Sequence, residues 1–235
     1  MDKVRTVSDT KRDFYTYHNR PINSIYRRFI EEILVEMHLL CVNTDFRYDP
    51  IYALGVVTSY ERFIQGYRPE EDQKSIFSAI CQAVGLNADQ CRQDAQTLLE
   101  KVKDLSMSDL MTKINSAGAG GSEEGILLST LQAIAQNPQF KYSRLFAIGL
   151  YTMLMEIDVD LVKNQEKRNQ TLSQLCKPLN LSEEKLQKDL DLYRSNLDKM
   201  EQLLAVIEDT LEAERKKREK AKQDLKIESE DSPTN

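Results

Sequence analysis

The chain has 235 residues, 40% hydrophobic and 30% charged, with 8 glycines, 6 prolines and no tryptophan. That balance suits a helical protein of one or two domains better than a sheet protein, which needs more turn residues. A net charge of −6 argues against a general nucleic-acid binder, whose affinity comes from neutralising phosphates with Lys and Arg.

The first 12 residues are polar and charged and lack the apolar stretch of a secretory signal. Ser8 or Asp9 is placed to cap a short helix through His18, and Pro21 stands near the first turn of a long helix over residues 22–40. Along that helix Ile22, Ile25, Tyr26, Phe29, Ile33, Met37 and Leu40 form one apolar stripe. Residues 1–30 thus read as a basic-aromatic helical arm, with Phe14, Tyr15, Tyr17 and Tyr26 interleaved among cations. Arg20, Arg27 and Arg28 are its candidate partner-binding residues. The plainer reading of Arg27 and Arg28 is a solvated face that pairs with Glu31 and Glu32 and supports the helix.

A first helical unit spans 31–110. Asp49-Pro50 reads as an N-cap followed by proline at the first helical position, giving a helix over 50–64. Gly55 falls inside it, at a cost of up to about 1 kcal/mol relative to Ala, which predicts a helix crossing where no side chain fits. Gly66 ends the helix. Glu70, Glu71 and Asp72 open the next one; they complement its dipole, with a divalent cation as the less favoured reading. That helix runs to Val84, stops at Gly85, and is followed by one from Asn87 to about Asp104.

The unit recurs. Phe46-Arg47-Tyr48-Asp49-Pro50-Ile51-Tyr52-Ala53-Leu54-Gly55-Val56-Val57-Thr58 is echoed by Phe140-Lys141-Tyr142-Ser143-Arg144-Leu145-Phe146-Ala147-Ile148-Gly149-Leu150-Tyr151-Thr152, an offset of 94. Leu34 and Asn43 match Leu128 and Asn137 at the same offset, and Ser78, Cys81, Leu86 and Asp94 match Ser173, Cys176, Leu181 and Asp189 at 95. A duplicated pair of multi-helix units follows, and searching for such periods first guards against misreading the fold. Gly149 then shares the close-packing role of Gly55.

Between the units, residues 111–122 read as a Gly/Ser-rich linker, with Ser122 placed to cap the next helix. The stretch lacks the lysine and the preceding strand of a phosphate loop. The second unit spans 123–211. Its longest apolar run, residues 145–157, is broken by Gly149 and Thr152 and is shorter than the roughly 20 residues of a spanning helix.

After Pro178, Ser182 caps a helix running to about Glu228, on the order of 70 Å if unbroken. Leu190, Tyr193, Leu197, Met200, Leu204, Ile207 and Leu211 make a heptad seam of about three repeats, with Leu190, Leu197, Leu204 and Leu211 as packing positions. Packing on the chain's own helices is favoured over a coiled-coil dimer, so a monomer is expected. Residues 212–228 mix charges and read as a projecting helix, whose candidate partner-binding residues are Arg215, Lys216, Lys217, Arg218 and Lys222. Residues 229–235 form a polar tail expected to be disordered.

No catalytic, cofactor or metal site is legible. There are two histidines, no G-x-S-x-G and no nucleotide fingerprint. Cys41, Cys81, Cys91 and Cys176 are scattered, with no C-x-x-C pair, and read as buried or idle thiols. An approach of Cys81 to Cys91 across a helical hairpin is the one redox opening.

Five segments carry a resemblance. They are Thr6-Val7-Ser8-Asp9-Thr10-Lys11-Arg12, Arg20-Pro21-Ile22-Asn23-Ser24-Ile25-Tyr26-Arg27-Arg28, Tyr48-Asp49-Pro50-Ile51-Tyr52-Ala53-Leu54-Gly55-Val56-Val57-Thr58, Gly66-Tyr67-Arg68-Pro69-Glu70-Glu71-Asp72 and Asp189-Leu190-Asp191-Leu192-Tyr193-Arg194-Ser195-Asn196-Leu197. Together they resemble the thylakoid formation protein family, also known as a photosystem II biogenesis factor, over residues 6–211. The resemblance implies action at thylakoid membranes, in assembly or repair of photosystem II and in support of the membrane-bound FtsH protease. It implies no catalytic residues. The chain lacks a plastid transit extension and looks like the cyanobacterial form. The expectation is a non-enzymatic auxiliary factor, peripheral on the cytoplasmic face of the thylakoid, with FtsH and photosystem II components as partners. The alternative is a self-associating coiled-coil protein that organises membranes.

Overall fold

The structure, a computed structural model, describes residues 5–119 and 125–230, leaving out the side chains of 211, 214, 217, 218 and 220–230. Among the described residues every regular element is an α-helix, as the composition predicts. The helices are α1 (Val7–Tyr17), α2 (Ser24–Cys41), α3 (Pro50–Phe63), α4 (Glu71–Ala83), α5 (Ala88–Lys103) and α6 (Met107–Gly118). They continue with α7 (Ile126–Ala135), α8 (Arg144–Ile157), α9 (Val159–Lys163), α10 (Gln165–Cys176) and α11 (Glu183–Glu230). The chain forms two compact units, Met1–Tyr193 and Arg194–Asn235, the first holding α1 to α10 and the start of α11.

The repeat governs the helix boundaries. α3 and α8 start 94 residues apart, as do α4 and α10, while α5 and α11 start 95 apart. The N-cap side chains correspond: Asp49 accepts from Tyr52 N–H at 2.8 Å and Ser143 from Phe146 N–H at 3.0 Å, each satisfying an orphan donor of the first turn. Helix ends correspond too. Leu86 N–H donates to Cys81 C=O at 2.8 Å and Leu181 N–H to Cys176 C=O at 2.9 Å. The residue that turns the chain is left-handed in both: Gly85 at φ +81° and Asn180 at φ +53°. Glycine and asparagine are the residues that tolerate that conformation at a helix end.

At the centre α3 crosses α8, and here the apolar residues bury nearly all round: Ile51, Tyr52, Ala53, Leu54 and Val56 face inward with Leu145, Phe146, Ala147, Ile148 and Leu150. A Cβ on Gly55 would run into the carbonyl of Leu145 and come within 2.9 Å of Gly149 N; one on Gly149 would strike the carbonyl of Ile51. The contacts are reciprocal, since Ile51 and Leu145 are themselves counterparts. α5 packs against both α3 and α8.

Three boundary expectations need correction. The linker expected over 111–122 is helical as far as Gly118. Ser106 and Asp109 form a capping box, Ser106 Oγ accepting from Asp109 N–H at 3.1 Å and Asp109 from Ser106 N–H at 3.1 Å, and Leu110, Ile114 and Ala117 are buried at helical spacing. That combination outweighs the glycine content. The expected cap at Ser122 lies outside the described residues. α1 is capped by Thr6 rather than by Ser8 or Asp9, because Thr6 and Asp9 satisfy each other's backbone donors in a second capping box. α2 starts at Ser24, where the Asn23 side chain accepts from Ile25 N–H at 3.1 Å; Pro21 and Ile22 therefore precede the helix.

α6 also extends the repeat. It opens on Ser106-x-x-Asp109 as α1 opens on Thr6-x-x-Asp9, and it packs on α7 as α1 packs on α2. Residues 111–118 are therefore not a connector but part of the first helix of the second half.

Candidate functional site

Chemistry within the helical body has little to work with. Among the described residues no three His, Cys, Asp or Glu side chains gather as metal ligands. A hollow of about 320 Å³ at the α4–α5 turn, lined by Ser78, Gln82, Asn87 and Asp89 among others, holds no paired nucleophile and base. The four cysteines are free, and Cys81 and Cys91 do meet across the α4–α5 hairpin. The hydrogen bond of Cys81 to Cys91, together with burial, pushes the Cys81 thiol up; burial pushes Cys41 and Cys176 to about 11. Those three thiols stay protonated, whereas hydrogen bonding from Cys81 and from Tyr48 pulls the buried Cys91 thiol down; the thiolate is the form that attacks or ligates.

The surface of the N-terminal arm is richer. Phe14 is fully buried beneath α1, whereas Tyr15 and Tyr17 are 40% and 51% exposed. Tyr15 OH donates to Glu31 at 3.1 Å, and Lys11 pairs with the same carboxylate at 2.6 Å, which holds Glu31 below the usual carboxylate range. Arg12 pairs with Asp9 at 3.1 Å and Arg5 with Asp13.

The three arginines expected to bind a partner have different surroundings. Arg20 reaches 52 positions along the chain to Asp72, whose side chain is 4% exposed while that of Arg20 is 59% exposed. Arg27 is exposed and donates to Ile22 C=O at 3.4 Å. Arg28 pairs with Glu32 at 2.8 Å one turn on, the helix-supporting arrangement. Asp72 therefore complements its helix dipole and also anchors the arm, a role with no local signal in the sequence.

Both histidines lie in the seams around α1. His38 Nδ1 shares a 2.8 Å hydrogen bond with the Thr10 hydroxyl, and His18 Nδ1 shares one of 3.0 Å with the Ser75 hydroxyl. His18 Nε2 is buried without a partner. From the sequence these rings were weighed only for catalytic and metal-binding roles.

On α11, Leu190 is buried, Leu197 and Leu204 are half-buried, and the Leu211 side chain lies outside the described residues. Leu203 and Val206 are exposed on the same stretch. Arg215 and Lys216 are exposed and pair with Glu219 at 3.1 Å and Glu212 at 3.4 Å. Lys217, Arg218 and Lys222 are helical, their side chains outside the described residues. Among the described residues no helix is long and apolar enough to cross a membrane.

A pair of hydroxyl–carboxylate contacts recurs with the repeat and was not foreseen. Tyr48 OH donates to Asp94 at 2.7 Å and Tyr142 OH to Asp189 at 2.8 Å. The recurrence of all four residues was the signal that could have found it.

Comparison with known proteins places these features in context. A family model described as Thylakoid formation protein matches residues 6–222. The chain is 74% identical over 235 residues to Protein Thf1 of Rippkaea orientalis, covering 100% of both chains. It is 64% identical to Protein Thf1 of Crocosphaera subtropica, covering 97% of this chain and 93% of that one. A solved structure described as that of Psb29 is similar with a TM-score of 0.80 at 45% identity, covering 91% of this chain and 98% of that chain.

Proposed function

The chain belongs to the thylakoid formation protein family, and from that premise we propose that it is a non-enzymatic auxiliary factor for thylakoid biogenesis and photosystem II assembly or repair. It acts by protein contacts, including support of the FtsH protease, and it associates peripherally with the cytoplasmic face of the thylakoid. The observation that carries the reading is where the unburied chemistry lies: on the arginines and tyrosines of the arm and on the charged end of α11, not in a cavity. Arg20, Arg27 and Arg28 form one docking surface, and Arg215, Lys216, Lys217, Arg218 and Lys222 a second.

The test is capture from detergent-solubilised thylakoids with the tagged full chain. FtsH or photosystem II subunits should be enriched, and a chain ending at Leu211 should lose the share that depends on the α11 surface. Recovery of neither, together with normal FtsH levels in a deletion strain, overturns the proposal.

The half-buried seam of Leu197, Met200, Leu204 and Ile207, beside exposed Leu203 and Val206, favours a second reading in which two copies associate through α11. Light scattering separates the two. A dimer that Leu197→Lys with Leu204→Lys abolishes supports self-association; a monomer at all concentrations sinks it.

A further inference from the structure

Two helices at equivalent places in the repeat are docked by different chemistry. α6 is held by Leu110, Ile114 and Ala117, all buried. α1 has one large apolar anchor, Phe14; its other buried residue is Thr10, and its C-cap is the buried His18. The polar anchors end on imidazoles. Thr10 meets His38 of α2, and His18 meets Ser75 of α4, so the chain's two histidines sit in the two seams that hold α1. At the position in α7 that corresponds to His38 the residue is Gln132, which does not titrate.

We infer that α1 is an acid-released arm: uncharged His18 and His38 keep it docked on α2 and α4, and protonation of both rings frees it while the rest of the first compact unit stays folded. Release uncovers the faces of α2 and α4 beneath Phe14. The inference does not depend on which partner the arm meets.

The charges around the rings support it. Burial is the main influence on both and holds each below the usual imidazole value. At His18, Asp72 of α4 favours the charged ring and Arg20 opposes it. At His38, Arg5 opposes the charged ring and Asp9 favours it. Asp72 is already engaged by Arg20. A proton on His18 would also leave the buried Nε2–H with no acceptor, which is costly. Glu31, held low by Lys11, keeps its charge as the imidazoles titrate.

Because the docked rings resist protonation, docking is complete above about pH 6.5, where free imidazole titrates, and weakens as pH falls below it. Between about pH 7.5 and 5.5 each ring shifts the docking equilibrium by up to about tenfold, and the two together by up to about a hundredfold.

Hydrogen exchange of the full chain, read by mass spectrometry at both pH values and corrected for intrinsic rates, tests this. Amides of α1 should exchange roughly tenfold or more faster at the lower pH, with α6 and α8 unchanged; each of His18→Gln and His38→Gln should remove part of that rise. No rise in α1, an equal rise in α6 and α8, or a full rise in both single variants overturns the inference. A second measurement needs no variant: proton NMR of the imidazole rings should show both titrating below about 6.5. A ring that titrates at or above that value also overturns it.

Discussion

α1 and α6 begin with the same reciprocal cap and pack on counterpart helices, yet one is fastened by hydroxyls, imidazoles and a single phenyl ring, the other by aliphatic side chains. Duplication preserved the position and left the chemistry free to diverge. Apolar docking carries no group that titrates. Polar docking makes attachment conditional on protonation and charge, so the first half carries the element whose state can be changed. The central crossing, by contrast, is the same in both halves, because a glycine is required wherever backbone meets backbone.

The largest effects are expected at that crossing. Gly55→Ala and Gly149→Ala each set a methyl against a carbonyl that no rotamer change can move. Each should cost about 3 kcal/mol or more despite the better helix propensity of Ala, read as a fall in the urea midpoint. A large loss at one site and none at the other would end the claim of equivalence.

Next come the two arms. Ile114→Ala, which empties a fully buried site, should cost roughly 2–4 kcal/mol, while Thr10→Ala, which leaves His38 without its partner, should cost about 1–2 kcal/mol. Equal costs in thermal melts would mean that the arms are fastened alike. Smaller again is the hydroxyl–carboxylate pair. Tyr142→Phe should cost about 1 kcal/mol and Tyr48→Phe less, since Tyr48 is the more exposed of the two.

An effect of similar size separates the caps of α3 and α8. Burial pushes the Asp49 carboxyl up to about 6 even though it accepts from backbone N–H groups, whereas Ser143 carries no charge. A folded pKa above the unfolded one means that the folded chain holds the proton more tightly. Asp49 therefore adds stability as pH falls from above about 6 towards 4, and that stability is lost as pH rises back through about 6. The residue is half-buried, so the contribution is on the order of 1 kcal/mol. Asp49→Ser should flatten that part of the stability profile, and an unchanged profile would show that the carboxylate is solvated.

Much of the fold was legible because its signals are local. Asp49-Pro50, Asn87 and Ser182 each announce a helix within three residues, and the recurrence at 94 and 95 places one half on the other. The helix over Met107–Gly118 was missed although Leu110, Ile114 and Ala117 follow helical spacing behind a capping box. Its offset from α1 is 100 rather than 94, and the glycines beside it read as a connector. The docking chemistry of the arm was the least legible part. Arg20 with Asp72, His18 with Ser75 and Thr10 with His38 are joined only by the tertiary fold, across 52, 57 and 28 positions.

The crossing at Gly55 and Gly149 has a consequence for how the chain holds together. Counterpart residues contact one another reciprocally, which is the geometry of a two-fold homodimer interface. In that respect the chain is built like such a dimer with its two subunits joined. The tether fixes each half at an effective concentration on the order of millimolar at the other. Severing the chain between the halves would make stability depend on dilution, since α3 and α8 each supply the surface that buries the other.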